Sequence, residues 1–272
     1  MPSERGTRAV AENGLLEPFS AAPERAALLT DIDGTLAPIV PRPEQAAVPA
    51  RAIEIMRGLS KRFAVVGCVS GRRAMDARRL VGLAELSYAG NHGLEVLWPG
   101  EAGAKPSQGA LEWQPRVGEF VAGLDGGQLG AAELRLEDKG PIQALHWRGA
   151  EDEAAAGARV REIAAAAQAD GLAVHWGRKV LELRPPVAIG KDIAVAELLS
   201  RERPGHAIYA GDDHTDLDAF AGLRAMRKRG ELESVVCVGV LSAEGPDELA
   251  RESDLTVDGP AGWLEILESL AK

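Results

Sequence analysis

The stretch Ala26-Ala27-Leu28-Leu29-Thr30-Asp31-Ile32-Asp33-Gly34-Thr35 decides the fold. Its first half is an apolar run without polar alternation, the pattern of a strand buried on both faces of a parallel sheet. Its second half breaks into two aspartates and a glycine turn. Similar apolar runs occur at residues 63–69, 207–210 and 235–240, with a shorter one at 255–257. Helical spacing separates them: Ile53, Met56 and Leu59 share one face, as do Ile193, Ala196, Leu198 and Leu199. Strand–helix alternation of this kind predicts an α/β fold with a doubly wound parallel sheet.

The middle of the chain reads differently. A helix over 111–124 is followed by short strands near 134–136 and 144–147, an Ala-rich helix over 151–169, and strands near 173–176 and 180–183. The order α-β-β-α-β-β predicts a smaller α+β unit inserted into the larger domain. The expected division is an N-terminal arm or docking helix over 1–25, a core from 26–105 and 186–272, and an inserted cap over 106–185. Pro-rich and Gly-rich crossings near both junctions suit such a division.

Composition narrows the function classes. The 272 residues carry 31 Lys and Arg against 41 Asp and Glu, a formal charge of −10. That balance argues against nucleic-acid binding, which runs on phosphate neutralisation by basic side chains. No run approaches the roughly 18 apolar residues of a membrane span, and Met1-Pro2-Ser3-Glu4-Arg5 does not open a secretory leader. A cytoplasmic monomer without nucleic-acid or membrane partners is expected. Cys68 and Cys237 are too few for a disulfide framework or a zinc site, and read as buried apolar thiols.

The chemistry lies where the apolar runs end. Side chains alternate along a strand, so Asp31 and Asp33 leave the first one toward the same side, at the turn made by Gly34. Two such carboxylates repel unless a cation or a proton intervenes. One can attack phosphorus while its neighbour serves the leaving oxygen as acid and water as base. The second run ends in Ser70-Gly71-Arg72, a hydroxyl with backbone N–H groups that suits a phosphoryl oxygen and equally an ordinary helix N-cap. The third ends in Gly211-Asp212-Asp213-His214-Thr215-Asp216. Its acidic cluster calls for a hard cation with oxygen ligands, Mg2+ before Ca2+. An N-cap with acidic first-turn residues accounts for one or two of these acids. Lys191 stands between the acidic signals as a counter-charge for phosphate. In a doubly wound sheet the carboxyl ends of the strands line one crevice, so all four motifs converge.

Together these motifs resemble those of the haloacid-dehalogenase-type phosphatases, whose core is Rossmann-like. The resemblance implies Asp31 as nucleophile and Asp33 as general acid and base. Ser70 and Lys191, with the Gly34 and Gly71 backbone, would hold the phosphoryl group. Asp212 would ligate Mg2+ with Asp31 and the Asp33 carbonyl, while Asp213 and Asp216 support the metal or orient Lys191. Gly90-Asn91-His92-Gly93-Leu94-Glu95, Glu137-Asp138-Lys139-Gly140, His146-Trp147-Arg148 and Leu181-Glu182-Leu183-Arg184-Pro185 resemble the trehalose-6-phosphate phosphatase family more narrowly. The likeness covers nearly all of the chain after residue 25.

That likeness implies hydrogen bonds from Glu137, Lys139, Arg148 and Glu182 to the sugar hydroxyls of a disaccharide phosphate bound between core and lid. Glu137 and Lys139 also suit a surface ion pair with each other. Arg72, Asn91 and His92 are expected near the substrate, His92 equally as a turn residue. Asp192 and Leu217 depart from the family pattern. They leave room for sucrose phosphate, a mannosylglycerate phosphate or a pseudo-disaccharide phosphate. A phospho-acceptor or sugar-phosphate sensor is the rival from another class, and the base two residues from Asp31 argues against it.

Overall fold

The computed structural model describes residues 14–272 except 41, 43, 44, 125 and 244. The expected arm over 1–25 is therefore partly outside the described residues. Its described part is not a loose arm. A short helix, α1 (Glu17–Ala21), places Phe19 fully within the core, where its ring meets His206 edge-on at 6.2 Å.

The chain continues through β1 (Ala26–Thr30), α2 (Ala50–Leu59), β2 (Val65–Val69), α3 (Ala74–Val81), β3 (Ser87–Gly90), β4 (Glu95–Leu97) and β5 (Lys105–Pro106). There follow α4 (Gln108–Ala122), α5 (Gly126–Ala131), β6 (Arg135–Asp138), β7 (Gln143–His146), α6 (Glu153–Ala169), β8 (Ala173–Gly177) and β9 (Val180–Arg184). The last part holds α7 (Lys191–Leu199), β10 (His206–Gly211), α8 (His214–Lys228), β11 (Ser234–Leu241), α9 (Asp247–Glu252), β12 (Leu255–Asp258) and α10 (Gly259–Leu270). Two compact units result: one from the described residues up to Lys105 with Ile189–Lys272, the other from Pro106–Ala188.

An eight-stranded sheet runs in the order β12-β11-β10-β1-β2-β3-β4-β5. Neighbours from β12 to β3 pair in parallel, and β4 lies antiparallel to β3. Period-two alternation splits each strand between two cores. Ala26 and Leu28 pack with Met56 of α2, Ala77 of α3 and Trp263 of α10. Ala27 and Leu29 pack with Leu198 of α7, Phe220 of α8 and Leu249 of α9. Burial on both faces explains why these strands are uniformly apolar. Cys68 and Cys237 are buried and free, one in each core.

β1 lies between β2 and β10, with Thr30 in register with both Cys68 and Ala210. The connections leave β1 in opposite directions, so this is the switch point where such sheets bind ligands. The strands β3 and β4 were not expected. They are short, and Gly90, Asn91 and Gly93 interrupt the apolar pattern between them. β2 starts at Val65 rather than at residue 63, because the Ala64 N–H turns to the Pro23 carbonyl at 3.2 Å.

The second unit has its own antiparallel sheet in the order β6-β7-β9-β8. Leu145, Leu181 and Leu183 pack under Val117 of α4 and Val160 and Ile163 of α6. The many alanines of α6 suit this packing, because a small side chain lets the helix approach the sheet closely. α6 begins at Glu153 rather than 151, since Asp152 caps it by accepting the Ala154 and Ala155 N–H groups. Among the described residues no helix is long and apolar enough to cross a membrane.

Because Phe19 is fully buried, Phe19→Ala is expected to cost about 3 kcal/mol or more in urea unfolding. A loss below about 1 kcal/mol would contradict the placement of α1 in the core.

Candidate active site

The site begins where β1 stops. The Asp31 N–H still donates to the Ala210 carbonyl at 2.8 Å, so the sheet ladder fixes the aspartate as it leaves the strand. Its side chain is almost fully buried and lies 3.0 Å from Lys191 Nζ. Lys191 opens α7 and is 2% exposed. Its ammonium also donates to Asp216 Oδ1 at 2.6 Å and lies 3.8 Å from Asp213 Oδ1. Burial alone would lower the Lys191 pKa, but Asp31 and Asp216 outweigh it and hold the group firmly charged.

Asp216 is fully committed. Oδ1 accepts from Lys191 and, at 2.6 Å, from the Tyr209 hydroxyl. Oδ2 accepts the Asp212 and Asp213 N–H groups at 2.9 and 3.0 Å. A carboxylate with two bonds on each oxygen has little left for a ligand. Asp216 therefore orients Lys191 and the Asp212 loop. Asp213 caps α8, its Oδ1 accepting the Thr215 N–H at 2.8 Å and the Asp216 N–H at 3.2 Å.

Asp212 faces the turn after β1. Its Oδ1 accepts the Thr35 hydroxyl at 2.9 Å, which ties the end of β10 to the end of β1. Gly34 makes this approach possible. Its φ is +93°, and a Cβ there would lie 2.0 Å from Asp212 Oδ2. Thr35 and Tyr209 were not singled out as site residues. Thr35 carried a signal, as the last residue of Asp-Gly-Thr. Tyr209 carried none, because it reads as one more apolar residue of β10.

Asp33 is more exposed than Asp31. Arg72 holds it through two bonds, Nε to Oδ2 and Nη2 to Oδ1, both at 2.7 Å. Of the two roles open to Arg72, contact with the substrate or support of a residue that makes one, the structure gives the guanidinium a protein carboxylate as partner. Ser70 is buried, and its Oγ accepts the Arg72 N–H at 3.1 Å. It is not the N-cap of α3. That position is Arg73, which makes no side-chain cap bond. Asn91 and His92 stand beside this segment, as their N–H groups donate to the Arg72 and Ser70 carbonyls.

Oxygens of Asp31, Asp212 and Asp216 lie within 4.8 Å of one another, and all three residues are buried. Burial pushes the Asp31 carboxyl well above the usual range, opposed by Lys191 and reinforced by Asp216 and Asp212. It likewise pushes Asp212 up to about 6, against the Thr35 hydrogen bond. Three carboxylates, Asp31, Asp213 and Asp216, thus lie within 4 Å of one ammonium, and Asp212 adds a fourth beside Asp31 and Asp216. A hard divalent cation fits this donor set. With Asp216 committed elsewhere, Asp31 and Asp212 are the side chains that would hold it.

In the second unit, the structure gathers a separate polar group on its sheet. Lys139 Nζ donates to Glu182 Oε1 at 3.0 Å, and Arg184 Nε donates to Glu182 Oε2 at 2.9 Å. Burial would raise the Glu182 carboxyl, but Arg184 and Lys139 hold it below its usual range. Glu137 Oε2 meets His146 Nε2 at 2.7 Å across the β6–β7 pair. Both His146 and Arg184 were missed as members of this group. Arg148 was expected here, yet its Nη2 donates to the Arg178 carbonyl at 3.2 Å.

If the acidic cluster is a cation site, Mg2+ at about a hundred times its Kd stabilises the fold by about 2.7 kcal/mol. Asp212→Asn is expected to raise the melting temperature of metal-free protein by relieving repulsion, and to abolish the Mg2+ gain. An undiminished Mg2+ gain in Asp212→Asn would contradict the assignment of Asp212.

Known proteins resemble this chain in sequence and in fold. The sequence pattern of the family described as trehalose-phosphatase matches residues 29–251. A trehalose 6-phosphate phosphatase of Zea mays is 32% identical over 94% of this chain and 73% of its own length. A probable trehalose-phosphate phosphatase of Oryza sativa subsp. japonica is 34% identical over 78% of this chain. The matched part spans only 64% of that relative. The fold is similar to that of Aspergillus fumigatus trehalose-6-phosphate phosphatase, with a TM-score of 0.61, 24% identity, and coverage of 94% of this chain and 96% of that one. The motif order along the chain, the doubly wound sheet and these matches lead to one assignment: the chain belongs to the trehalose-phosphatase family of phosphoric monoester hydrolases.

Proposed function

We propose that the protein hydrolyses trehalose 6-phosphate to trehalose and phosphate, with Asp31 as nucleophile and an aspartyl-phosphate as intermediate. The observation that carries this reading is Asp31 itself. It is a buried carboxylate at the end of the central strand, fixed by the sheet and 3.0 Å from a buried ammonium. The pair with Lys191 offsets the cost of burying both groups, and a nucleophile gains in addition a fixed aim and a partner for the arriving phosphoryl oxygens.

In the first step an Asp31 oxygen attacks phosphorus and the bond from phosphorus to the sugar oxygen breaks. Asp33 gives that oxygen its proton. In the second step Asp33 takes a proton from water, the water oxygen attacks phosphorus, and the bond to Asp31 breaks. Phosphate leaves and both aspartates are restored. Lys191 and the Ser70 hydroxyl would hold the phosphoryl oxygens throughout. Bound Mg2+ supplies positive charge that offsets those oxygens. Arg72 now clasps Asp33 by both oxygens, so one of them must be released before Asp33 can donate.

A disaccharide presents many hydroxyls and no charge beyond its phosphate. Glu137, His146, Lys139, Glu182 and Arg184 offer fixed donors and acceptors of the kind those hydroxyls need. We assign the sugar-binding role to this group, with Lys139 and Glu182 at its centre.

The test is phosphate release from trehalose 6-phosphate, glucose 6-phosphate and sucrose 6-phosphate, each with Mg2+ and with chelator. The expected result is Mg2+-dependent release that strongly favours the trehalose ester, a preference lost in Glu182→Ala. Preference for another ester would overturn the substrate while keeping the chemistry. Release unaffected by chelator would overturn the metal requirement.

A further inference from the structure

Residues 91–93 join two parts of the proposed phosphate site without being used in the chemistry above. Asn91, His92 and Gly93 all have left-handed backbones, with φ of 50°, 54° and 97°. Three in succession is an unusual conformation, and Asn, His and Gly are the types that bear it best. The turn is bonded on two sides. Toward β2, the Asn91 N–H donates to the Arg72 carbonyl at 2.8 Å and the His92 N–H to the Ser70 carbonyl at 3.2 Å. Toward α7, the His92 carbonyl accepts the Gly190 N–H at 3.1 Å, one residue before Lys191. The packing is tight as well. A Cβ on Gly71 would lie 2.7 Å from His92 Nε2.

One buried side chain hooks this turn in place. Glu95, at the start of β4, is 6% exposed. Its Oε1 accepts from Asn91 Nδ2 at 3.1 Å and from the Ala74 N–H at 2.7 Å. Ala74 opens α3, whose N-cap makes no side-chain bond, so Glu95 satisfies a helix donor from a distant strand. A carboxylate removed from water needs such partners. Here both lead to the segment that carries Ser70. A carboxylate placed only for stability would not need to grip a left-handed turn that also touches the start of α7.

The geometry points to Glu95 as a positioning residue that, through Asn91, holds residues 91–93 as a strut between Ser70 and Lys191 and so sets the site's fit to a phosphoryl group. This rests on the assignment of Ser70 and Lys191 to phosphate. The strut acts by fixing where the hydroxyl and the ammonium stand relative to each other. Misplacement of such groups by a fraction of a bond length weakens phosphate binding and turnover together.

The test is competitive inhibition by inorganic phosphate, measured beside KM, kcat and the melting temperature of the full chain. Glu95→Ala and Asn91→Gly are expected to weaken phosphate inhibition about tenfold. Asn91→Gly removes the side-chain hook while suiting the left-handed backbone, so it decides the matter if Glu95→Ala does not fold. Glu95→Gln keeps an oxygen that can accept both bonds and is expected to restore most of the lost phosphate affinity. Unchanged phosphate inhibition in Asn91→Gly, with only a lower melting temperature, would overturn the strut. Phosphate inhibition untouched by Ser70→Ala and by Lys191→Met would overturn the underlying phosphate assignment instead.

Discussion

The arrangement depends on keeping one ammonium group out of water. Lys191 is almost fully buried, and such a charge is costly unless closely paired. Its pairing fixes the surroundings. Asp31 must end β1 beside it, and Asp216 must turn back from α8 to meet it. Tyr209 must lie under Asp216, and the Asp212 and Asp213 amides must close on the remaining oxygen. Once Asp216 is saturated in this way, Asp31 and Asp212 remain as acids without enough positive charge among them. A site that over-supplies carboxylate by this margin has the donor set that a hard cation fits.

The doubly wound sheet is what brings these residues to one place. β1 and β10 are far apart in sequence but adjacent in register, and β2 closes the other side. Short-range bonds then refine the site: Thr35 to Asp212, Arg72 to Asp33, Ser70 Oγ to the Arg72 N–H. The second unit contributes a different kind of surface. Its helices bury one side of the antiparallel sheet, and the alternating residues of β6, β7 and β9 carry Glu137, His146 and Glu182 as fixed polar groups. The polar groups of the first unit are organised around a buried charge, and those of the second around hydrogen bonds on one side of its sheet.

Much of this was legible in the sequence, for identifiable reasons. Asp31 and the Asp212–Asp216 cluster follow uniform apolar runs, Lys191 stands at the helix between them, and topology carries the strand ends to a common edge. What could not be read required a partner distant in sequence. Tyr209 sits in an apolar strand, and only the fold shows its hydroxyl under Asp216. Arg72 follows Ser-Gly and reads as lying near the substrate, but only the fold shows that its bidentate partner is Asp33. Glu95 enters the sequence reading only as the end of a motif, and the fold shows it buried and bonded to Asn91 and to the start of α3. The short strands β3 and β4 escaped because glycine and asparagine break their pattern, whereas α1 falls within the stretch expected to hold an arm or docking helix.

The central claim is that Asp31 becomes covalently phosphorylated. The most direct measurement is rapid acid quench of the enzyme with trehalose 6-phosphate labelled in the phosphoryl group, followed by peptide mapping of the denatured protein. The account predicts label on Asp31 that appears before free phosphate and decays as phosphate is released, with none in Asp31→Asn. Label on another residue, or release of phosphate with no labelled protein at any time, would contradict it.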